Sequence, residues 1–131
     1  MSYARQPDAY AHLSARLGIL EREAGRAVAV LALEGELDRW TVASPEWAVA
    51  LAQVAACAAE ADEVVVLDLK RLYFLDLTGL AELEDLAVLL AAGGRRLACA
   101  GTRPRIREFL RQAGADLGEE YPLAELELSV G

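Results

Sequence analysis

Only two cysteines, one histidine and a single lysine occur among the 131 residues. Cys57 and Cys99 stand far apart, with neither CxxC nor Cys/His spacing, which excludes a disulfide framework and a zinc site. No apolar run reaches the ~18 residues that a membrane span needs, because acids and arginines interrupt every stretch. The opening residues, Met1-Ser2-Tyr3-Ala4-Arg5-Gln6-Pro7-Asp8, lack a basic start followed by an apolar stretch, so no secretory signal is expected. Positive charge is also short: 13 Lys+Arg against 21 Asp+Glu leave a net charge of −8. That balance argues against direct nucleic-acid binding, which needs a concentrated positive surface. What is present suffices for a folded core, since 55% of residues are hydrophobic and 26% charged. The expectation is one soluble, acidic, cytoplasmic domain over residues 12–131, preceded by a loose arm at 1–11 that is polar and contains Pro7.

Every basic residue except Lys70 is an arginine, and alanine and leucine dominate the apolar set. This is the bias of a GC-rich genome, so arginine number alone does not mark a phosphate site.

Hydrophobic periodicity orders the chain. Ser14 to Glu23 reads as a strand through Leu17, Ile19 and Leu20, and Ala24-Gly25-Arg26 as a turn. Ala27–Glu34 (AVAVLALE) follows as a second strand, apolar at nearly every position, as for a strand covered on both faces. Gly35-Glu36-Leu37-Asp38 ends it. Ser44-Pro45-Glu46 opens a helix reaching about Glu60, with Ser44 as cap, Pro45 at the first helical position and Glu46 at the positive dipole end. Val64–Leu69 (VVVLDL), after Asp62-Glu63, is the strongest β-branched run and the expected central strand.

A loop holding Phe74-Leu75-Asp76-Leu77-Thr78-Gly79 comes next. A helix then places Leu80, Leu83, Leu86, Ala87 and Leu90 on one side and Glu82, Glu84 and Asp85 on the other, and Gly93-Gly94 stops it. Arg96–Ala100 is a fourth strand, and Pro104 to Ala113 a third helix ended by Gly114. Beyond Tyr121-Pro122 the sequence is weakly patterned. The order β-β-α-β-α-β-α predicts a single α/β domain: a mostly parallel sheet with an N-terminal hairpin and helices packed on it.

Sites in open α/β sheets lie beyond the carboxyl ends of the parallel strands. Two loops qualify, the one ending in Asp38 and the one at Asp76–Gly79. Thr78 stands where a helix begins, suited to cap it or to carry a phosphate against the positive end of the dipole. As a bland alternative, Thr78 is only a cap and Gly79 only permits close packing. Asp38 and Asp76 are either partner contacts or turn acids. Two carboxylates without a third ligand, a nearby histidine or a hydroxyl–base pair do not make a catalytic or metal site. No enzyme activity, metal or cofactor is expected.

The stretches AVAVLALEGELD and VVVLDLKRLYFLDLTGLAELEDLAVLLAAGGRRLACAGTRPRIREFLRQAGADLGEEYPL resemble the STAS domain, named for sulfate transporters and anti-sigma factor antagonists. The likeness rests on Gly-Glu-Leu-Asp at 35–38, the valine-rich strand ending in Asp68-Leu69, and Phe74-Leu75-Asp76-x-Thr78-Gly79-Leu80 opening a helix. It spans roughly residues 15–125, nearly the whole chain. It implies a binding module that engages an anti-sigma factor, often a serine kinase, and thereby frees a sigma factor. Phosphorylation in the same loop releases it, with ATP and magnesium belonging to the kinase. The family loop usually reads Asp-Ser-Ser-Gly or Asp-Ser-Thr-Gly. Here it is Asp76-Leu77-Thr78-Gly79, so Thr78 is the remaining phosphoacceptor, with Asp38, Asp76, Leu77, Gly79 and Glu82 as partner-binding candidates.

Leu77 also suits a second reading: a STAS scaffold or accessory subunit of a stress-signalling or lipid-transport complex, without a phosphorylation cycle. A homodimer is compatible with either. A phosphoryl receiver or hydrolase lacks its acidic pair or its G-x-S-x-G elbow. The acids on the second helix would steer a basic partner, whereas Arg95, Arg96, Arg103, Arg105, Arg107 and Arg111, of which Arg103, Arg107 and Arg111 share one helical face, are expected to pair with the domain's own acids. His12 has no partner motif. Cys57 and Cys99 read as buried small hydrophobes, and of Trp40 and Trp47 one belongs in the core and the other near the Asp38 loop, where an aromatic anchors a partner.

Overall fold

A computed structural model describes residues 12–21, 27–57 and 64–122. Strand β1 (Leu13–Glu21) runs antiparallel to β2 (Ala27–Leu37), in register from Leu13 opposite Gly35 to Glu21 opposite Ala27. Strands β3 (Val64–Leu75) and β4 (Arg96–Ala100) continue the sheet in parallel, giving the order β1-β2-β3-β4. The expected α/β class, the antiparallel first pair and the central position of the valine-rich strand are all present. The arm at 1–11, the turn at 24–26, the end of the first strand at 22–23, the last helical turn at 58–60, Asp62-Glu63 and residues 123–131 lie outside the described residues.

Val64 to Leu69 are buried without a break, as befits a strand covered on both faces. Alternate residues divide between two apolar clusters, because successive strand side chains point to opposite sides. Ala29, Leu31, Leu33, Val65, Leu67, Leu69, Leu97 and Cys99 join the main core. Helix α1 (Pro45–Cys57) adds Trp47, Ala50 and Val54 to it, α2 (Leu77–Ala92) adds Leu80, Leu83, Leu86 and Leu90, and α3 (Pro104–Gln112) adds Ile106. Burying each large side chain contributes roughly 1.5–3 kcal/mol before its ordering entropy is counted. Val28, Val64, Val66, Ala98 and Ala100 make a second cluster with no helical member.

Two strands run further than their sequences suggest. β2 extends three residues past Glu34, and β3 six past Leu69. Lys70 and Arg71 interrupt the apolar run, yet β3 continues beside β2 through register shifts at Ala32/Glu34 and Gly35/Glu36. Those irregularities change the alternation to burial at Leu72 and Leu75, a spacing of three that a two-residue period does not find. β4 stops at Ala100, opposite Asp68, so the last part of β3 projects beyond it with Phe74 and Leu75 in the strand rather than in the loop.

The chain after α3 returns to the sheet. Leu117 is buried, and Glu120 forms a parallel bridge with Cys99. Cys99 N–H donates to Glu119 O at 3.0 Å, and Tyr121 N–H donates to Cys99 O at 2.6 Å. Gly118 allows this approach: its φ is +105°, and a Cβ there would lie 2.0 Å from Leu97 O. Arg96 pairs with Glu119, and Thr102 Oγ1 donates to Glu120 Oε1 at 3.1 Å, fixing the segment at both ends.

Candidate functional site

The carboxyl ends of β2 and β3 are tied together by their own backbones. Asp76 N–H donates to Leu37 O at 3.4 Å, and the Arg39 N–H donates to Asp76 Oδ2 at 3.1 Å. The two loops singled out by topology thus form one surface.

Asp76, not Thr78, caps α2. Its Oδ1 accepts the Gly79 N–H at 2.8 Å, while Leu77 and Thr78 occupy the first two helical positions. The reason is sequence spacing: Asp76 is the last extended residue, and a carboxylate there reaches the third N–H of the helix. Thr78 is therefore spared from capping and is exposed. Beneath it Gly79 is buried, and a Cβ on it would lie 2.1 Å from Leu37 O, so the helix start presses directly on the end of β2.

Asp38 is only 6% exposed. Its Oδ1 accepts the N–H groups of Trp40 (2.9 Å) and Thr41 (3.0 Å), while the Thr41 hydroxyl accepts the Asp38 N–H at 3.0 Å and donates to Glu36 O at 2.9 Å. This reciprocal network holds the short 3-10 turn at Thr41–Ala43 that leads into α1, and it places Trp40 outward. Ser44 caps α1 as expected, its hydroxyl accepting the Trp47 N–H at 3.3 Å.

Glu82 leaves the acidic face on which sequence put it. It is half-buried and accepts from the Trp47 indole Nε1 at 2.7 Å, bracing α1 against α2, while Glu84 and Asp85 stay exposed. The two tryptophans divide as expected: Trp47 is in the core and Trp40 is exposed beside the Asp38 turn.

At the surface, then, are Thr78 and Leu77, the latter 69% exposed, together with Trp40, Phe74 and Tyr73. Arg39 lies over the Trp40 ring at 4.8 Å, and Arg103 over the Tyr73 ring at 4.4 Å. Tyr73 was not singled out by sequence, and Phe74 was read as part of the loop, because the end of β3 that carries both was not foreseen. Asp38 and Gly79 lie beneath this surface, and Asp76 and Glu82 are half-buried within its supports.

Of the arginines expected to pair with acids, Arg96 meets Glu119 and Arg111 meets Glu108 among the described residues. The contact with Arg111 lowers the Glu108 carboxyl pKa, and the contact with Glu108 raises that of Arg111. Arg103 donates to Lys70 O at 3.1 Å and Arg107 to Thr102 O at 3.1 Å. Lys70 itself pairs with the buried Asp68 at 3.0 Å. Among the described residues no cluster of three His, Cys, Asp or Glu side chains stands ready to hold a metal, and no helix is long and apolar enough to cross a membrane.

Residues 20–123 match the protein family described as Mlab, STAS domain. The chain belongs to the STAS domain family. Its fold is similar to that of the anti-sigma factor antagonist SpoIIAA in its unphosphorylated form, with a TM-score of 0.63 and 21% identity over 86% of this chain and 92% of that one. An anti-sigma factor antagonist from Mycobacterium paratuberculosis is similar at a TM-score of 0.59 and 18% identity, covering 96% of this chain and 98% of the other. No curated protein sequence matches this STAS domain. At these identities the likeness to solved structures is one of fold.

Proposed function

We propose that this STAS domain is an anti-sigma factor antagonist, which binds an anti-sigma factor through the surface around Thr78 and is released when Thr78 is phosphorylated. The observation that carries this reading is the exposure of Thr78 and Leu77 at the start of α2, with Trp40 and Phe74 also exposed at the joined ends of β2 and β3. A hydroxyl that caps nothing, set among apolar groups turned to solvent, suits both a kinase and a partner. Similarity of fold to anti-sigma factor antagonists supports the same reading.

A phosphate on Thr78 would add about −1.5 to −2 charges at the N-terminus of α2, where the dipole and open N–H groups tolerate it. Under a partner the same group would be desolvated. The domain keeps its fold and loses its partner. The domain acts here as ligand and substrate rather than as catalyst.

The test is incubation with kinase-type anti-sigma factors of the same organism and ATP, followed by intact mass. The reading expects a gain of one phosphate, absent in Thr78→Ala, and loss of binding in the modified species. Leu77 favours one competing reading, an accessory STAS subunit whose partner seats on the bare leucine. In that case Leu77→Asp abolishes binding while Thr78 stays unmodified.

A further inference from the structure

Thr78 and Glu82 stand one turn apart on the same side of α2, and Glu82 accepts from the Trp47 indole of α1. The side of α2 that carries Thr78 is therefore turned toward the segment joining β2 to α1, residues 38–44. Arg39 lies in that segment, and one carboxylate bridges the two. Asp76 Oδ2 accepts the Arg39 N–H at 3.1 Å, and Asp76 Oδ1 accepts the Gly79 N–H at 2.8 Å. The Arg39 backbone thus stands a single carboxylate's width from the first turn of α2, a gap that a side chain with a three-methylene stem can cross.

The guanidinium of Arg39 is not committed to an acid. It makes none of the ion pairs found among the described residues, and rests instead over the exposed Trp40 ring at 4.8 Å. Such a contact at an exposed site is weak. A guanidinium grips a phosphate more firmly, through two parallel charge-assisted hydrogen bonds. The charged groups beside Thr78 on its own element are acids, Asp76 two residues before it and Glu82 one turn beyond. A phosphate there gains an opposite charge from across the gap.

We propose that Arg39 is the receiver of a phosphate on Thr78: on modification its guanidinium leaves the Trp40 ring and pairs with two phosphate oxygens. This deepens the proposed function and rests on its reading of Thr78 as the phosphoacceptor. The phosphate then acts twice on the partner surface. It adds negative charge, and it strips the exposed Trp40 of the cation stacked upon it. The movement leaves the fold intact, because the backbone of Arg39, not its side chain, makes the link to Asp76.

Phosphothreonine installed at position 78 of the full-length chain during translation tests this without a kinase. The phosphorus resonance should titrate about 0.5–1 pH unit lower in the parent than in Arg39→Gln, because a nearby positive charge favours the dianion. Arg39→Lys, a point charge without the fork, should fall between. Arg39→Gln keeps the N–H that binds Asp76, so a merely structural role would not move this midpoint. Phosphorylation should also change Trp40 emission in the parent but not in Arg39→Gln, with Trp40→Phe marking the share due to Trp47. Equal midpoints in the parent and Arg39→Gln overturn the proposal, as does an emission change of equal size in both. The two readings fail separately. No gain of mass with the kinase-type anti-sigma factors removes the phosphoacceptor role, whereas equal midpoints on the installed phosphate remove Arg39 alone.

Discussion

The backbone N–H of Arg39 donates to Asp76 Oδ2 at 3.1 Å, while the other oxygen of that carboxylate caps α2 through Gly79. A single side chain therefore closes a helix and fastens it to the loop of a neighbouring strand. Asp76→Ala removes both acceptors and should cost about 1–3 kcal/mol. Asp76→Asn keeps one carbonyl oxygen and should cost less. Urea unfolding of the three chains measures the order, and an Asp76→Ala protein as stable as the parent would show that the link carries no weight.

Gly79→Ala separates propensity from packing. Alanine is the better helix former by about 1 kcal/mol, so an unconstrained site would be stabilised. Here the added Cβ would meet Leu37 O at 2.1 Å, and backbone cannot swing aside as a flexible side chain does. The expected net result is destabilisation of about 2 kcal/mol or more, with α2 pushed off β2. A raised thermal midpoint would refute this account of the glycine.

On the proposed function, Thr78→Glu should weaken binding to the anti-sigma factor by about 10²-fold, the effect of a few kcal/mol at the contact. The thermal midpoint should move upward by at most about 4 °C, since a negative charge in the first turn of α2 favours the helix. Calorimetric titration beside a melting curve distinguishes lost binding from lost structure. A variant that binds as tightly as the parent would remove Thr78 from the switch.

Trp47 and Glu82 should be energetically coupled through the 2.7 Å bond between them. In a double-mutant cycle of Trp47→Phe and Glu82→Gln, the coupling should be about 1–2 kcal/mol, as for a hydrogen bond to a charged acceptor. Additive effects would mean that Glu82 belongs to the solvent face after all.

The order of strands and helices was legible because α1 opens at Ser44-Pro45 and α3 at Pro104, because glycines follow the ends of α2 and α3, and because β3 begins with an unbroken valine run. That the loops after β2 and β3 adjoin was legible from topology. The end of β3 was not, since Lys70-Arg71 and the bulges opposite it break the alternation that announces a strand. Glu82 was misplaced for a related reason: helical spacing groups it with Glu84 and Asp85, and only tertiary packing brings Trp47 within reach. Capping by Asp76 rather than Thr78 depended on where the strand ends, one residue before the helix.

Cys99 gives the domain an alkaline limit. Burial first, then the charges of Glu120 and Asp116, push its thiol up from 9.0 to about 12. The folded state thus holds the proton more tightly than the unfolded chain does. The stability this confers is complete below pH 9 and is lost as pH rises from about 9 to about 12, at roughly 1.4 kcal/mol per unit. At neutral pH the thiol is protonated and unreactive, so alkylation of Cys99 should follow global unfolding. Unfolding curves at pH 8 and pH 10.5 should therefore differ for the parent and converge for Cys99→Ala, once its own cavity cost is subtracted. An equal pH slope in both proteins would place the alkaline sensitivity elsewhere.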